Sequence, residues 1–319
     1  MSADNEESAG ADQLKRKVRD WLLREGYPFE LRIGRQLLGA GFHDIAHGRF
    51  FRDLDTEKWR EIDVMAFALA KPFFEQGEGQ SRPPLIGVRF VVECKHGHRP
   101  WVVMASPTSP AQNQFPSSFL EGRVATALLR QAEMPDISPG GASGTGLSLE
   151  AFSFGAYLGH NVVQTAALTR SESKGDKLGP ESQGQPNAAY SAVRSVVAAA
   201  GAVAKQVNDA QIEQLKLKQP LSGMSVILPV IVCNAPMFRL SLSEGGEESL
   251  DEIDEAAIAA PPSGDRDGGL RLVRIVRPGA PLNALARRAI ADAETVATIL
   301  RDRWPEYSRR AMQSLRIET

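Results

Sequence analysis

The first hundred residues carry two kinds of apolar spacing, one helical and one alternating. An amphipathic helix is predicted over residues 12–25, where the apolar stripe is made by Leu14, Val18, Trp21 and Leu22. Pro28 is predicted to open a second helix over residues 28–41, because its missing N–H costs nothing in a first turn. Runs rich in β-branched and aromatic residues then predict four strands, at residues 42–51, 59–69, 85–95 and 101–104.

The second half mixes structured segments with segments of turn-forming composition. Residues 136–149 and 170–187 are rich in Gly, Ser, Pro and Gln and are predicted to be loops, with a more apolar, structured piece over residues 151–168 between them. Further helices are predicted at residues 119–132, 188–206 and 281–302, and further strands at residues 225–233, 238–242 and 270–276.

This order of elements predicts an α/β fold with a central mixed sheet, helices on both of its faces, and loop insertions. Residues 1–11 are predicted to be a disordered tail, and residues 12–319 a single domain. Within that domain we expect insertions near residues 136–187 and an acidic loop over residues 244–268.

Composition narrows the class of protein. The chain has 319 residues, of which 42% are hydrophobic and 24% charged, as in folded globular proteins. No apolar run approaches the roughly 18 residues of a membrane span, and the acidic start is unlike a secretory signal, so a cytoplasmic protein without a membrane partner is expected. Cys94 and Cys233 are predicted to be buried thiols. The net charge of −2 is unusual for a protein that coats nucleic acid, although an enzyme needs only a local basic groove.

Polar residues interrupt one face of the strand predicted at residues 85–95. Side chains alternate between the two faces of a strand, so the even-numbered positions from Ile86 to Cys94 form one apolar face. Glu93 and Lys95 emerge side by side from the other face, at the end of the strand. A carboxylate beside an ammonium suits a metal ligand next to a cation that orients water.

The preceding strand and helix contribute further carboxylates. On the strand at residues 59–69, alternation places Ile62 and Val64 on one face and Asp63 on the other. Asp63 comes beside Glu93 if the two strands are neighbours. Two close carboxylates repel each other, and a divalent cation such as Mg²⁺ or Mn²⁺ would neutralise them. Glu30 shares a helical stripe with Ile33 and Leu37 that should face the sheet. Glu30 also fits a simpler role, because a carboxylate in a first turn meets the helix dipole favourably.

The sequence Asp63, then Glu93-Cys94-Lys95, after a helix bearing Glu30, resembles the PD-(D/E)XK, restriction-endonuclease-like superfamily of nucleases. The resemblance covers residues 12–104 and extends more loosely to residues 188–206 and 225–233. Ile62 stands where the family name has Pro. Gln112 and Gln114 are candidates for the additional Gln motif of some subfamilies.

The resemblance implies a restriction-endonuclease-like fold and metal-dependent hydrolysis of DNA. Asp63, Glu93 and the backbone carbonyl of Cys94 would bind Mg²⁺ or Mn²⁺, Lys95 would orient water and offset charge, and Glu30 would complete the metal site. Phosphate contacts are expected from three arginines, Arg60, Arg89 and Arg99. Nucleic acid is the implied partner, and a homodimer is a common arrangement among such enzymes.

Other interpretations stay open at this point. Asp, Glu and Lys at strand ends are commonly just solvated or paired with each other. Histidines offer a zinc site at His43 and His47, with His96 and His98 beside the carboxylates, but a four-residue interval suits zinc on a helix rather than on a strand. The chain could also be a catalytically inactive module of this fold that binds nucleic acid or protein, or a ribonuclease.

Overall fold

A computed structural model describes residues 3–70, 85–97, 99–105, 158–164, 188–217, 223–243, 245–260 and 271–301, together with residues 304–306, 309 and 313. The described residues form an α/β fold. Its helices are α1 (Ala3–Glu25), α2 (Tyr27–Gly39), α3 (Ala188–Lys216) and α4 (Ala280–Leu300). Its strands are β1 (Asp44–Arg52), β2 (Trp59–Leu69), β3 (Leu85–Lys95), β4 (Trp101–Ala105), β5 (Leu158–Gln164), β6 (Gly223–Cys233), β7 (Met237–Leu242), β8 (Glu248–Glu252), β9 (Glu255–Ala260) and β10 (Arg271–Val276).

The strands form a mixed sheet in the order β1-β2-β3-β6-β10-β9-β5-β4-β7-β8. Six of them, from β1 to β9 in that order, make its main part, in which β1, β2 and β3 are an antiparallel meander and β3, β6 and β10 run parallel. Among the described residues, two pairs between β5 and β9 join the remaining four strands to this part. The sheet therefore consists of a six-stranded part and a smaller four-stranded part.

Helices cover both faces of the sheet, as the sequence predicted. On the first face α2 and α4 bury residues such as Ile33 and Leu285 against Val88 and Phe90; we call this the first core. On the second face α3 packs its buried Ala and Val residues against Val91 and neighbouring strands; we call this the second core. The small side chains of α3 let the helix lie close to the sheet.

Strongly patterned elements have the bounds that the sequence predicted. Strands β2 and β3 begin and end at the predicted residues, and β6 and β10 differ from prediction by at most two. The predicted helix at residues 119–132 and the predicted loops at residues 136–149 and 170–187 lie outside the described residues, and only residues 158–164 of the piece at 151–168 are described.

Two predictions about polar segments were wrong. Helix α1 begins at Ala3, so residues 3–11 are helical rather than a disordered tail; the segment is rich in Ala and Glu, both strong helix formers. The predicted acidic loop over residues 244–268 contains strands β8 and β9. An acidic sequence suits β8, because charged side chains on an edge strand discourage pairing with other chains. Residues 244 and 261–268 of that segment lie outside the described part.

The burial pattern of β2 changes at Asp63. Val64 packs in the first core, whereas Ile62 packs with Phe51 in the second, although the sequence predicted Ile62 and Val64 on one face. Gly48 faces Asp63 across the β1–β2 pair and has a φ of 61°, a conformation that favours glycine. The hairpin formed by β1 and β2 therefore bends at Gly48, next to the candidate site.

None of the described helices is both long enough and apolar enough to cross a membrane.

Candidate active site

The end of the β2–β3 ladder positions Asp63. Backbone pairing between the two strands stops at Val64 and Val92, and the same register carried one step further sets Asp63 opposite Glu93. At that step the Asp63 side chain replaces a backbone carbonyl as the acceptor for β3: its Oδ2 accepts a hydrogen bond of 2.6 Å from the N–H of Cys94. The carboxylate of Asp63 is thereby fixed between the two strands.

Glu93 is held at both of its carboxylate oxygens. Lys95 Nζ lies 2.6 Å from Oε1, and the hydroxyl of Ser195 on α3 donates to Oε2 at 3.1 Å. The Glu93 side chain is only 12% exposed, so little water competes for its carboxylate. The contacts with Lys95 and Ser195 therefore fix its orientation. Alternation along β3 makes Glu93 and Lys95 neighbours, and α3 supplies the third group from the second face of the sheet.

Glu30 reaches the same place from α2. Burial raises the pKa of Glu30 above its usual range, and the charges of Glu61 and Glu93 raise it further. Glu30 therefore lies within electrostatic range of these carboxylates. Direct contacts join Lys95 to Glu93 and Asp63 to the backbone of Cys94, while Glu30 and Glu61 act on this group through their charges.

Asp63 has the most altered ionisation of the group. Burial and, to a smaller extent, the charges of Glu93 and Glu30 together raise the pKa of Asp63 to about 7. The Cys94 N–H and Lys95 act in the opposite direction. Burial acts to lower the pKa of Lys95, but Glu93 and Asp63 raise it above its ordinary value, so Lys95 stays charged. Near neutral pH the site therefore holds one positive charge, on Lys95, among several carboxyl groups.

Cys94 contributes its backbone to the site and its side chain elsewhere. The side chain packs against the first core, where burial raises the pKa of the thiol. Burial likewise raises the pKa of Cys233 to about 11, so both residues are protonated thiols. The N–H and C=O of a strand residue point to the same side. The Cys94 carbonyl therefore lies on the side of Asp63.

The three arginines predicted to contact phosphate, Arg60, Arg89 and Arg99, lie in different environments. Arg60 is bound to the buried Asp53, with 2.6 Å between Nε and Oδ2. Arg89 lies 4.4 Å above the ring of Phe67, and burial lowers the pKa of its guanidinium. Arg99 is exposed beyond the end of β3. None of the three contacts the carboxylate group in the structure.

The histidines have separate neighbours. The His43 ring packs edge-on against Phe67 at 5.4 Å between centroids, and His47 lies against Gly34, where an added Cβ would come within 2.5 Å of the ring. His96 packs edge-on against Phe29 at 6.0 Å. His98 lies outside the described residues, as do Gln112 and Gln114.

The donor set bears on which cation the site could take. Within the described part of the chain, no three His, Cys, Asp or Glu side chains are placed so that they could hold a metal ion together. The fixed pair is Asp63 and Glu93, with the Cys94 carbonyl beside them. Only oxygen atoms are offered, and Mg²⁺ is commonly bound by one or two carboxylates while it keeps several waters. The donors fit Mg²⁺ or Mn²⁺ and do not suit zinc.

Sequence reasoning missed Ser195 and Glu61 as parts of the site. Glu61 had a signal, because it lies two residues before Asp63 on the same predicted strand. The sequence signal for Ser195 was weak: it is a hydroxyl residue on a helix otherwise rich in Ala and Val. Its place opposite Glu93 depends on how α3 crosses the sheet.

Comparison of the chain with known protein families, with characterised proteins and with solved structures finds no match.

Proposed function

We propose that this protein is a Mg²⁺-dependent nuclease that hydrolyses phosphodiester bonds in DNA, with a restriction-endonuclease-like fold. The observation that carries the proposal is the cluster of Asp63, Glu93 and Lys95 where the pairing of β2 with β3 ends, with Glu30 of α2 within range of their charges. The mixed sheet with helices on both faces accords with that fold. Mn²⁺ can replace Mg²⁺ at a site made only of oxygen donors.

The excess of carboxylates supports a cation site. The pKa of Asp63 is raised to about 7, because burial disfavours the ionised carboxylate and the charges of Glu93 and Glu30 oppose its ionisation further. A bound divalent cation would reverse this effect, hold Asp63 and Glu93 in their ionised forms, and supply a water of lowered pKa together with positive charge at the phosphate. The Cys94 carbonyl and Glu30 are further oxygen donors for that cation.

Lys95 is the group assigned to the attacking water. Its ammonium is charged at neutral pH and is oriented by Glu93, whose other oxygen is held by Ser195. A positioned ammonium can hold the water by hydrogen bonding and stabilise negative charge that develops on the phosphate. In this account Ser195 is a positioning residue, because it acts through Glu93.

The test is cleavage of plasmid, linear duplex and single-stranded DNA, and of RNA, in Mg²⁺ and in EDTA. We expect cleavage by the wild type in Mg²⁺, and loss of at least about a hundredfold in Lys95→Ala and Asp63→Ala. Ser195→Ala should lose about two- to tenfold, the effect of one hydrogen bond. Lys205→Ala and Asp209→Ala alter an exposed ion pair on α3 and serve as matched controls. Equal activity in wild type and Lys95→Ala contradicts the proposal, and cleavage of RNA alone reassigns the substrate.

A second candidate is a module of the same fold that binds nucleic acid or protein without catalysis. The observation favouring it is that no three potential metal-binding side chains are arranged together among the described residues. DNA binding in EDTA, with no cleavage of any substrate in Mg²⁺ or Mn²⁺, would select this candidate.

A further inference from the structure

Two aromatic side chains protrude from the hairpin formed by β1 and β2. Trp59 is 71% exposed and Phe50 is 66% exposed, the highest values among the aromatic residues that the structure describes. Phe50 is paired with Glu61 and Trp59 with Arg52, so the two rings lie on one face as diagonal neighbours. Aromatic side chains at diagonal positions of an antiparallel pair are within reach of each other.

The other face of the hairpin packs against the second core. Phe51 and Ile62 are buried in the second core, which leaves Phe50 and Trp59 facing outward. The outward face leads directly to the candidate active site, because Glu61 lies on it between Trp59 and Asp63, and the charge of Glu61 acts on Glu30. Asp63 lies four positions beyond Trp59 along the strand, a distance of about 13 Å.

The hairpin tip is a fixed structure. The buried Asp53 accepts hydrogen bonds from the N–H groups of Asp55 and Thr56, at 2.9 and 3.3 Å, and binds Arg60 through its other oxygen. The backbone of Asp53 also pairs with Lys58 and Glu57. A tip ordered in this way presents its aromatic rings with little further loss of conformational entropy on binding.

Cations accompany the rings. The Arg52 side chain, opposite Trp59, is 60% exposed, and its partner Glu57 is 76% exposed at 3.3 Å. Such an exposed pair contributes roughly 0–1 kcal/mol, so Arg52 can exchange Glu57 for a phosphate at small cost. Lys58 is exposed next to Trp59. Exposed rings with adjacent cations match the chemistry of unpaired bases on a phosphate backbone.

We propose that the outward face of the β1–β2 hairpin, bearing Phe50, Trp59 and Arg52, binds single-stranded nucleic acid by stacking its unpaired bases beside the active site. This rests on the proposed nuclease function and assigns it a substrate class. Bases in a duplex are covered by their neighbours, so the two rings discriminate in favour of single strands or of frayed ends. A second copy of this chain is the competing occupant, which the test separates.

The test measures binding of the full chain to a labelled oligothymidylate and to a duplex oligonucleotide in EDTA, where no metal-dependent cleavage occurs. Stacking contributes about 1–3 kcal/mol per base. We therefore expect Trp59→Ala and Phe50→Ala each to bind the single strand about tenfold or more weakly, with duplex binding unchanged. Trp59→Phe should retain most of the affinity, and Arg52→Ala should reduce the dependence of affinity on salt.

Leu242→Ala and Leu250→Ala are the matched controls, because these leucines are similarly exposed on β7 and β8 at the opposite end of the sheet. Their affinities should equal that of the wild type. Unchanged single-strand affinity in both Trp59→Ala and Phe50→Ala overturns the proposal, and so does an equal loss for duplex. Conversion of a dimer to a monomer by these changes in sedimentation also overturns it, in favour of an interface between copies.

The two proposals fail separately. If the wild type cleaves nothing but Trp59→Ala loses single-strand binding, the nuclease assignment is wrong and the stacking surface stands. If the wild type cleaves DNA and the hairpin variants bind and cleave single strands as the wild type does, the stacking surface alone is wrong.

Discussion

Asp63 is the residue on which the site depends most. It lies one step beyond the last backbone pair of β2 and β3, and its carboxylate accepts the Cys94 N–H that the ladder no longer pairs. The same position sets it opposite Glu93. The hydrogen bond from Cys94 fixes the Asp63 carboxylate in place. Burial and the neighbouring carboxylates make its ionisation unfavourable.

Comparing Asp63→Asn with the wild type should reveal the free-energy cost of ionising Asp63, as a difference in stability that changes with pH. The pKa of Asp63 is about 7 in the folded protein and lies near the ordinary value of 3.8 in the unfolded chain. The folded state therefore holds the proton more tightly, and stability falls as pH rises from about 4 to about 7. Asn cannot ionise, so it avoids this loss.

We expect the free energy of unfolding of Asp63→Asn, relative to the wild type, to rise over that interval by about 1–2 kcal/mol, a value discounted because water reaches the carboxyl group. Urea unfolding in EDTA from pH 4 to pH 8 measures the difference. Mg²⁺ should stabilise the wild type at pH 8 and not the variant. A difference that does not change with pH would show that Asp63 ionises normally.

The residues named from the sequence alone were the charged ones at strand ends and on the buried stripe of a helix. Periods of two and of 3.6 residues are enough to predict which face such residues occupy, so Glu30, Asp63, Glu93 and Lys95 could be named together. Ser195 could not be, since its contact with Glu93 depends on the path of α3 over the sheet.

At the scale of elements, the bend of the β1–β2 hairpin decides what surrounds the site. Gly48 has a φ of 61° and faces Asp63, and beyond it Ile62 packs in the second core while Glu61 remains outward. Simple alternation predicted the opposite placement of Ile62. A glycine within a strand pattern is a signal for such a bend, but the direction of the bend depends on what the hairpin packs against.

Gly48→Ala should destabilise the protein by about 1–2 kcal/mol, because a residue with a Cβ avoids this left-handed conformation. The added Cβ would also lie 2.9 Å from Oε1 of Glu61, which must move. Gly39→Ala is the control: it lies in the last turn of α2 with nothing within 4 Å of an added Cβ, and it should be neutral or slightly stabilising. Thermal unfolding of the two variants tests this, and equal melting temperatures would argue against a strained position at Gly48.

At the scale of the whole molecule, a buried group of charges fastens α4 to strands β9 and β10. Glu255 contacts Arg274 at 3.4 Å through one oxygen and Arg288 of α4 through the other. Arg274 is almost fully buried, and burial lowers the pKa of its guanidinium to about 10, while Glu255 and the neighbouring Asp292 act to raise it. Since α4 also packs against β3, these contacts help hold the first core behind the candidate site.

Glu255→Gln should lower the free energy of unfolding by about 3 kcal/mol, because it removes the carboxylate that contacts both guanidinium groups and leaves Asp292 to offset the charge of the buried Arg274. Replacing the pair with apolar residues, Glu255→Leu with Arg274→Met, should recover much of that loss. Glu252→Gln alters an exposed pair with Arg277 and should change stability by less than about 0.5 kcal/mol. Urea unfolding at pH 7 measures all three, and equal losses in the two Gln variants would mean that burial of the group adds nothing.

The sequence by itself determined the type of most described elements and the α/β class with helices on both faces, and it was enough to name four charged residues as candidates for a site. Apolar periodicity and strand alternation are local properties, so they can be read without knowing what packs where. The structure of polar segments was harder to predict, because residues 3–11 and the acidic strand β8 carry little apolar pattern.

Only the tertiary structure decided which strands are neighbours, and therefore that Asp63 faces Glu93 with Glu30 and Ser195 close by. It also decided that the hairpin turns Phe50 and Trp59 outward. These relations join residues far apart in the chain, and they are fixed by packing across the sheet rather than by local preference.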